Sequence, residues 1–86
     1  MYEVFFYSKA QKYYQRLDAS LRKRISKSID ILKINPFSGP NIKPLAGELE
    51  GTYRIRVGSY RIIYEIYKSK SAIIVLSIGS RGDIYK

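Results

Sequence analysis

Residues 52–67, TYRIRVGSYRIIYEIY, constrain the fold of this chain more than any other stretch. β-Branched and aromatic residues run up to Gly58-Ser59 and resume after it. That is the pattern of two strands joined by a two-residue turn of type I′ or II′. With Gly58 and Ser59 as the loop, Val57 faces Tyr60 and Arg56 faces Arg61. Side chains alternate along a strand with period two. Tyr53, Ile55, Val57, Tyr60, Ile62, Tyr64 and Ile66 therefore form the face to be buried, and Arg54, Arg56 and Arg61 share the other. Like charges directly opposite each other cost a sheet roughly several tenths of a kcal/mol. The three guanidinium groups read either as the solvated side of an ordinary half-buried hairpin or as a cradle for a polyanion.

Charge favours the second reading. The chain has 16 Lys and Arg against 7 Asp and Glu, a formal net charge of +9 on 86 residues. So strong a bias attracts nucleic acid, an anionic membrane or an acidic partner. No apolar amphipathic extension or span-length segment supports the membrane option, and the first residues lack the basic and apolar regions of a signal peptide. A cytoplasmic location is the expectation. The chain contains neither cysteine nor histidine. Disulfides, zinc sites, Ser-His-Asp triads and Cys-His pairs are thereby excluded, along with the commonest acid–base group near neutral pH. Nine tyrosines supply core volume and stacking faces for unpaired bases.

A chain of this length makes one domain, residues 1–86, with a core near the lower limit for folding without staples. Residues 2–7 (YEVFFY) read as a first strand, and Ser8 can cap the helix that follows. Ala10, Tyr13, Tyr14 and Leu17 recur at helical spacing, so this helix is short and ends near Leu17. Asp18 or Ser20 caps a second helix, whose stripe is Leu21, Ile25, Ser28, Ile29 and Leu32. Arg22, Lys23, Arg24, Lys27 and Lys33 fill its remaining face, either as a solvated surface or as one that docks on an RNA backbone. Asn35-Pro36 stops it. Residues 36–51 read as a loop, pinned to the core by Leu45 and Leu49. After the hairpin, residues 68–71 (KSKS) form a polar turn. The apolar run 72–78 (AIIVLSI) suits a central strand covered on both faces, and residues 83–86 form a short extended tail. The expected fold is α+β in the order β-α-α-β-β-β, a two-helix hairpin on one face of a mostly antiparallel four-stranded sheet. The parity of the KSKS turn leaves open whether Arg61 and Arg81 share a face.

The early strand, the helical hairpin, the Pro44-Leu45-Ala46-Gly47 loop, the YRIRVGSYRIIYEI hairpin and the ending IGSRGDIY together resemble RelE-type toxins of the RelE/ParE toxin–antitoxin superfamily. The resemblance spans nearly the whole chain. It implies a toxin that, with the ribosome, cuts mRNA in the decoding site by attack of a ribose 2′-OH on the adjacent phosphodiester. The products would be a 2′,3′-cyclic phosphate and a 5′-OH, with no metal or other cofactor. It also embraces gyrase-poisoning relatives that cut nothing, and an inactive RNA-binding member stays possible. Carried over by residue, the catalytic set is Arg54, Arg56, Arg61, Arg81 and Tyr85, and the RNA-contacting set is Arg54, Arg56, Arg61, Arg81 and Lys86. Arg61 would neutralise the phosphorane, Arg81 would assist the leaving 5′-oxygen and Tyr85 would stack on a neighbouring base. The best-known members carry lysines where this chain has Arg54 and Arg56. Arginine does not give up its proton, so the general base is unassigned. Glu65 is the one carboxylate of its strand, either a base or half of a structural ion pair. The implied partners are the ribosome with its mRNA and an acidic, RelB-like antitoxin encoded by an adjacent gene. The antitoxin would wrap the toxin with a helix and an extended segment.

Overall fold

The structure, a computed structural model, describes residues 1–80 of the chain. Strand β1 (Glu3–Phe6) leads into helices α1 (Ser8–Arg16) and α2 (Ala19–Ile34). Then come β2 (Ile42–Pro44), the hairpin β3 (Tyr53–Val57) and β4 (Tyr60–Tyr67), and β5 (Ala72–Ser80). The sheet order is β1-β5-β4-β3-β2; β1 runs parallel to β5 and every other pair is antiparallel. The α+β class is as expected, but the sheet has five strands rather than four. The additional strand, β2, lies within the segment expected to be a loop. Three prolines and several glycines disguise it, yet an edge strand tolerates Pro44 because its outer side needs no ladder hydrogen bond.

Helix ends follow local chemistry in part. The Asp18 side chain accepts a hydrogen bond from the Leu21 amide at 2.9 Å and so caps α2. Ser8 does not cap α1: Tyr7 holds that position without a side-chain bond, and Ser8 is already helical. The other end of α1 is closed from outside. The Arg22 guanidinium donates to the Leu17 carbonyl at 2.6 Å and the Gln15 carbonyl at 3.4 Å. A cation over the last carbonyls also suits the helix dipole. Asp18→Ala should lower stability by about 1 kcal/mol in urea unfolding, whereas Ser20→Ala should leave it unchanged. Equal losses for both would remove Asp18 as the cap.

The core lies between the helices and one face of the sheet. Ala10 of α1 and Ile25, Ile29 and Leu32 of α2 pack with Ile55, Val57, Ile62, Tyr64, Ile73, Val75 and Ile78. The expected stripes of both helices are thus the packed ones. Strand β5 is central, as expected, lying between β1 and β4. The helices cover only one of its faces, and Ile74 and Leu76 stay half-buried. Leu45 and Leu49 are likewise only half-buried. The anchors of residues 36–51 are Pro36, fully buried, and Ile42, packed on the core. Among the described residues no helix is long and apolar enough to cross a membrane.

Candidate nucleic-acid interface

Register in the β3–β4 hairpin decides where the arginines go, and it is the register read from the sequence. Val57 pairs with Tyr60, Arg56 with Arg61 and Arg54 with Ile63. Gly58 has φ 62°, and Ser71 is the one non-glycine residue of positive φ among the described residues. The turn is therefore type II′, which needs a positive φ only at its first central position. The missing side chain also leaves room for a neighbour. A Cβ on Gly58 would stand 2.6 Å from Nη2 of Arg24, whose guanidinium lies against the turn. Helix α2 thus sends one cation to the same end of the hairpin.

In a two-residue hairpin the pair flanking the loop is hydrogen-bonded. Arg56 and Arg61 are consequently a non-hydrogen-bonded pair, with Cα atoms roughly 4.5 Å apart. Together with Gly58 and Ser59 they line a small cleft at the turn. Arg56 is exposed, whereas Arg54 and Arg61 are half-buried. Strand β2 starts at Ile42 and stops short of Arg56, while Arg61 sits on an inner strand with neighbours on both sides. All three point away from the helix-covered face, so the face of the sheet opposite the helices carries them, as expected.

Strand β5 completes this surface through an irregularity. Ile63 pairs with Ser77 but Tyr64 pairs with Val75, which leaves Leu76 as an extra residue. The bulge reverses the parity of β5. Ile73 and Val75 face the core before it and Ile78 after it. Gly79 thereby falls opposite Arg61 and presents no side chain to it. The four-residue turn at 68–71 alone would have given the opposite parity. Arg81, Tyr85 and Lys86 lie outside the described residues.

Other charged groups separate into structural and surface roles. Arg22 is committed to the end of α1, so it leaves the set that could dock on RNA. Lys33 makes a surface pair with Asp30 at 3.6 Å. Glu65 is neither ion-paired among the described residues nor near the arginines. It accepts a hydrogen bond from the Tyr67 hydroxyl at 3.3 Å, and its charge raises the Tyr67 phenol above its ordinary range. Four residues of strand separate Glu65 from Arg61, about 13 Å, with the buried Ile63 between them. A phosphate held by Arg61 is out of its reach.

One residue of this face was missed by sequence reasoning. Lys43 in β2 pairs directly with Arg54, so the two side chains share a face, and Lys43 is exposed. Its only signal was one lysine between Ile42 and Pro44, inside a stretch with loop composition. The described face thus carries Lys43, Arg54, Arg56 and Arg61, with Arg24 at its rim. Such a row of cations has the chemistry to hold an anion by charge and, through its arginines, by bidentate hydrogen bonding.

Known proteins agree with this architecture. The family model for the ParE toxin of the type II toxin–antitoxin system parDE matches residues 4–85. A relative, Toxin RelG of Mycobacterium tuberculosis, is 41% identical over 44 residues, 51% of each chain, so the chain spans about half the length of the curated relative it matches. Among solved structures, the archaeal RelE–RelB complex of Pyrococcus horikoshii OT3 superposes with a TM-score of 0.81 at 29% identity, covering 95% of this chain and 97% of that one. The toxin–antitoxin complex RelBE2 of Mycobacterium tuberculosis gives a TM-score of 0.81 at 27% identity, with 93% and 98% covered. The hairpin register, the two-helix layer and the family match across nearly the whole sequence lead to one assignment: this chain is a type II toxin–antitoxin toxin and belongs to the ParE toxin family of the RelE/ParE superfamily.

Proposed function

We propose that the protein is a ribosome-dependent endoribonuclease that cuts mRNA in the decoding site and so arrests translation. The observation that carries this reading is the clustering of Arg54, Arg56 and Arg61 on the face of the sheet opposite the helices, with Arg56 and Arg61 directly opposite each other. Their mutual repulsion is offset when a phosphate lies between them. The pentacoordinate phosphorane carries more negative charge than the ground state, so cations fixed by strands favour the transition state selectively. Arg61 neutralises it, Arg54 and Arg56 hold the flanking backbone, Arg81 assists the leaving 5′-oxygen, Tyr85 stacks on a base and Lys86 adds a backbone contact. The ribosome supplies the substrate already in place, and orientation provides a large share of the acceleration.

An antitoxin is the second proposed partner. The formal charge of +9 favours an acidic chain, and the RelE and RelBE2 relatives were solved as toxin–antitoxin complexes. Ile31 and Ile34 on α2 are 56% and 75% exposed, which gives apolar area for a helix or extended segment to cover. A second reading, a gyrase-type target without nuclease chemistry, draws on the ParE name of the matching family.

The deciding experiment is mRNA cleavage on programmed ribosomes, wild type beside Arg81→Ala, with product ends mapped. Cutting at the decoding-site codon, lost in the variant, is the expected result. No cutting by folded wild type would discard the nuclease reading, and gyrase inhibition would be assayed next.

A further inference from the structure

We propose that the tip of the β3–β4 hairpin is a second phosphate site, closed by Arg24 of α2, which holds the RNA strand one phosphate away from the Arg56–Arg61 pair. The inference rests on RNA as the substrate of the reading above, and not on its cleavage. Charge alone does not single out Arg24, since Lys23 and Lys27 accompany it on the same helix. Its placement does.

Arg24 stands in the second turn of α2, and its guanidinium crosses to the hairpin. Nη2 lies 2.6 Å from the point where a Cβ on Gly58 would stand, with Cζ and Nη1 at 3.4 and 3.5 Å. Val57 and Tyr60 face the helices, so Arg24 meets the tip from the helix side, and Arg56 and Arg61 project from the other. The tip itself is only Gly58 and Ser59, both exposed. Gly58 also lines the cleft shared by Arg56, Ser59 and Arg61. It is therefore the residue common to the cleft and to the Arg24 contact, and it puts no side chain between them.

The cations around this tip have donors to spare. The side chains of Arg24 and Arg56 make no hydrogen bond or ion pair among the described residues. The carboxylates of neighbouring elements are engaged elsewhere: Asp18 caps α2, Asp30 pairs with Lys33 and Glu65 accepts from Tyr67. Each guanidinium offers a planar fork that suits phosphate oxygens. A nucleic-acid strand carries its charges at regular intervals along one chain. A strand that runs over so thin a tip meets Arg56 and Arg61 on one side and Arg24 on the other. A lone carboxylate would satisfy one side only. Lys27, exposed and three residues further along α2, continues the strip on the helix side.

The test is an NMR titration of the ¹⁵N-labelled protein with a 2′-O-methyl RNA pentanucleotide, which lacks the hydroxyl needed for cleavage. The Arg24 Nε–H and the Gly58 and Ser59 amides should shift on the same isotherm as the Nε–H groups of Arg56 and Arg61. Arg24→Gln, checked for folding by its thermal melt, should bind about tenfold more weakly. Its plot of log affinity against log salt should be shallower by about 0.7, the value of one phosphate contact on a single strand. Arg24→Lys should keep the slope and recover part of the affinity. Lys12→Gln removes the same charge from α1 and should bind like wild type. Arg24→Gln with the wild-type affinity and slope would overturn the assignment. So would a titration in which Arg56 and Arg61 respond without Arg24, or in which none of the three responds. A hexaglutamate peptide that shifts Arg24 where the oligonucleotide does not would give the tip to an acidic protein instead. Oligonucleotide binding as expected, by a protein that cuts nothing on ribosomes, would keep this site and discard the nuclease reading alone.

Discussion

Arg61→Ala should slow mRNA cleavage on the ribosome by about 10²- to 10³-fold, the loss typical of removing one fixed donor from a developing anion. Strand β4 is flanked on both sides, so its backbone holds the guanidinium at a defined register opposite Arg56 and Gly79. Thermal melts separate this loss of rate from any loss of folded protein. Arg61→Lys should recover only part of the rate, because an ammonium cannot bridge two phosphate oxygens in a plane. Rate constants and thermal melts on the same preparations check this. A folded Arg61→Ala protein that cuts at the wild-type rate would move the catalytic centre elsewhere.

How much of this site could be read beforehand depended on the range of the interactions involved. The hairpin was legible because a two-residue turn fixes register locally: once Gly58-Ser59 is the loop, Arg56 must face Arg61. The helices were legible for a similar reason, since the stripe through Ile25, Ile29 and Leu32 repeats every turn. Strand β2 was not, because an edge strand of three residues has no period to detect, and only its pairing with β3 defines it. Lys43 was missed with it. The bulge at Leu76 was equally silent: AIIVLSI offers an apolar residue for either face, and the choice is made by packing against α1 and β4. Ser8 and Ser20 had the chemistry to cap a helix, but where the chain enters each helix selected Tyr7 and Asp18.

The second large effect belongs to Tyr64, which holds the loop after α2 onto the sheet. Its ring is fully buried and stacks on Tyr53 with centroids 5.8 Å apart. Its hydroxyl donates to the Pro36 carbonyl at 2.8 Å, across 28 residues of sequence. Tyr64→Phe keeps the ring and leaves that buried carbonyl without its donor, so it should cost about 1–3 kcal/mol. Tyr64→Ala adds a cavity beneath Tyr53 and should cost about 3–5 kcal/mol, a large part of the stability of so small a domain. Each kcal/mol moves the melting temperature of a chain this size by about 4–8 °C. Burial of the phenol also makes this stability depend on pH. Burial, with Tyr53 nearby, pushes the Tyr64 phenol above the ordinary tyrosine range, so the folded chain holds this proton more tightly than the unfolded chain. Its contribution is fully present below about pH 10, where a free tyrosine titrates, and is lost as the pH rises beyond. Unfolding by urea at neutral and at alkaline pH should therefore show wild type losing stability that Tyr64→Phe does not lose. If Tyr64→Phe matches wild type at neutral pH, the Pro36 carbonyl finds another donor. The loop that precedes β2 and Lys43 is then held without the Tyr64 hydroxyl.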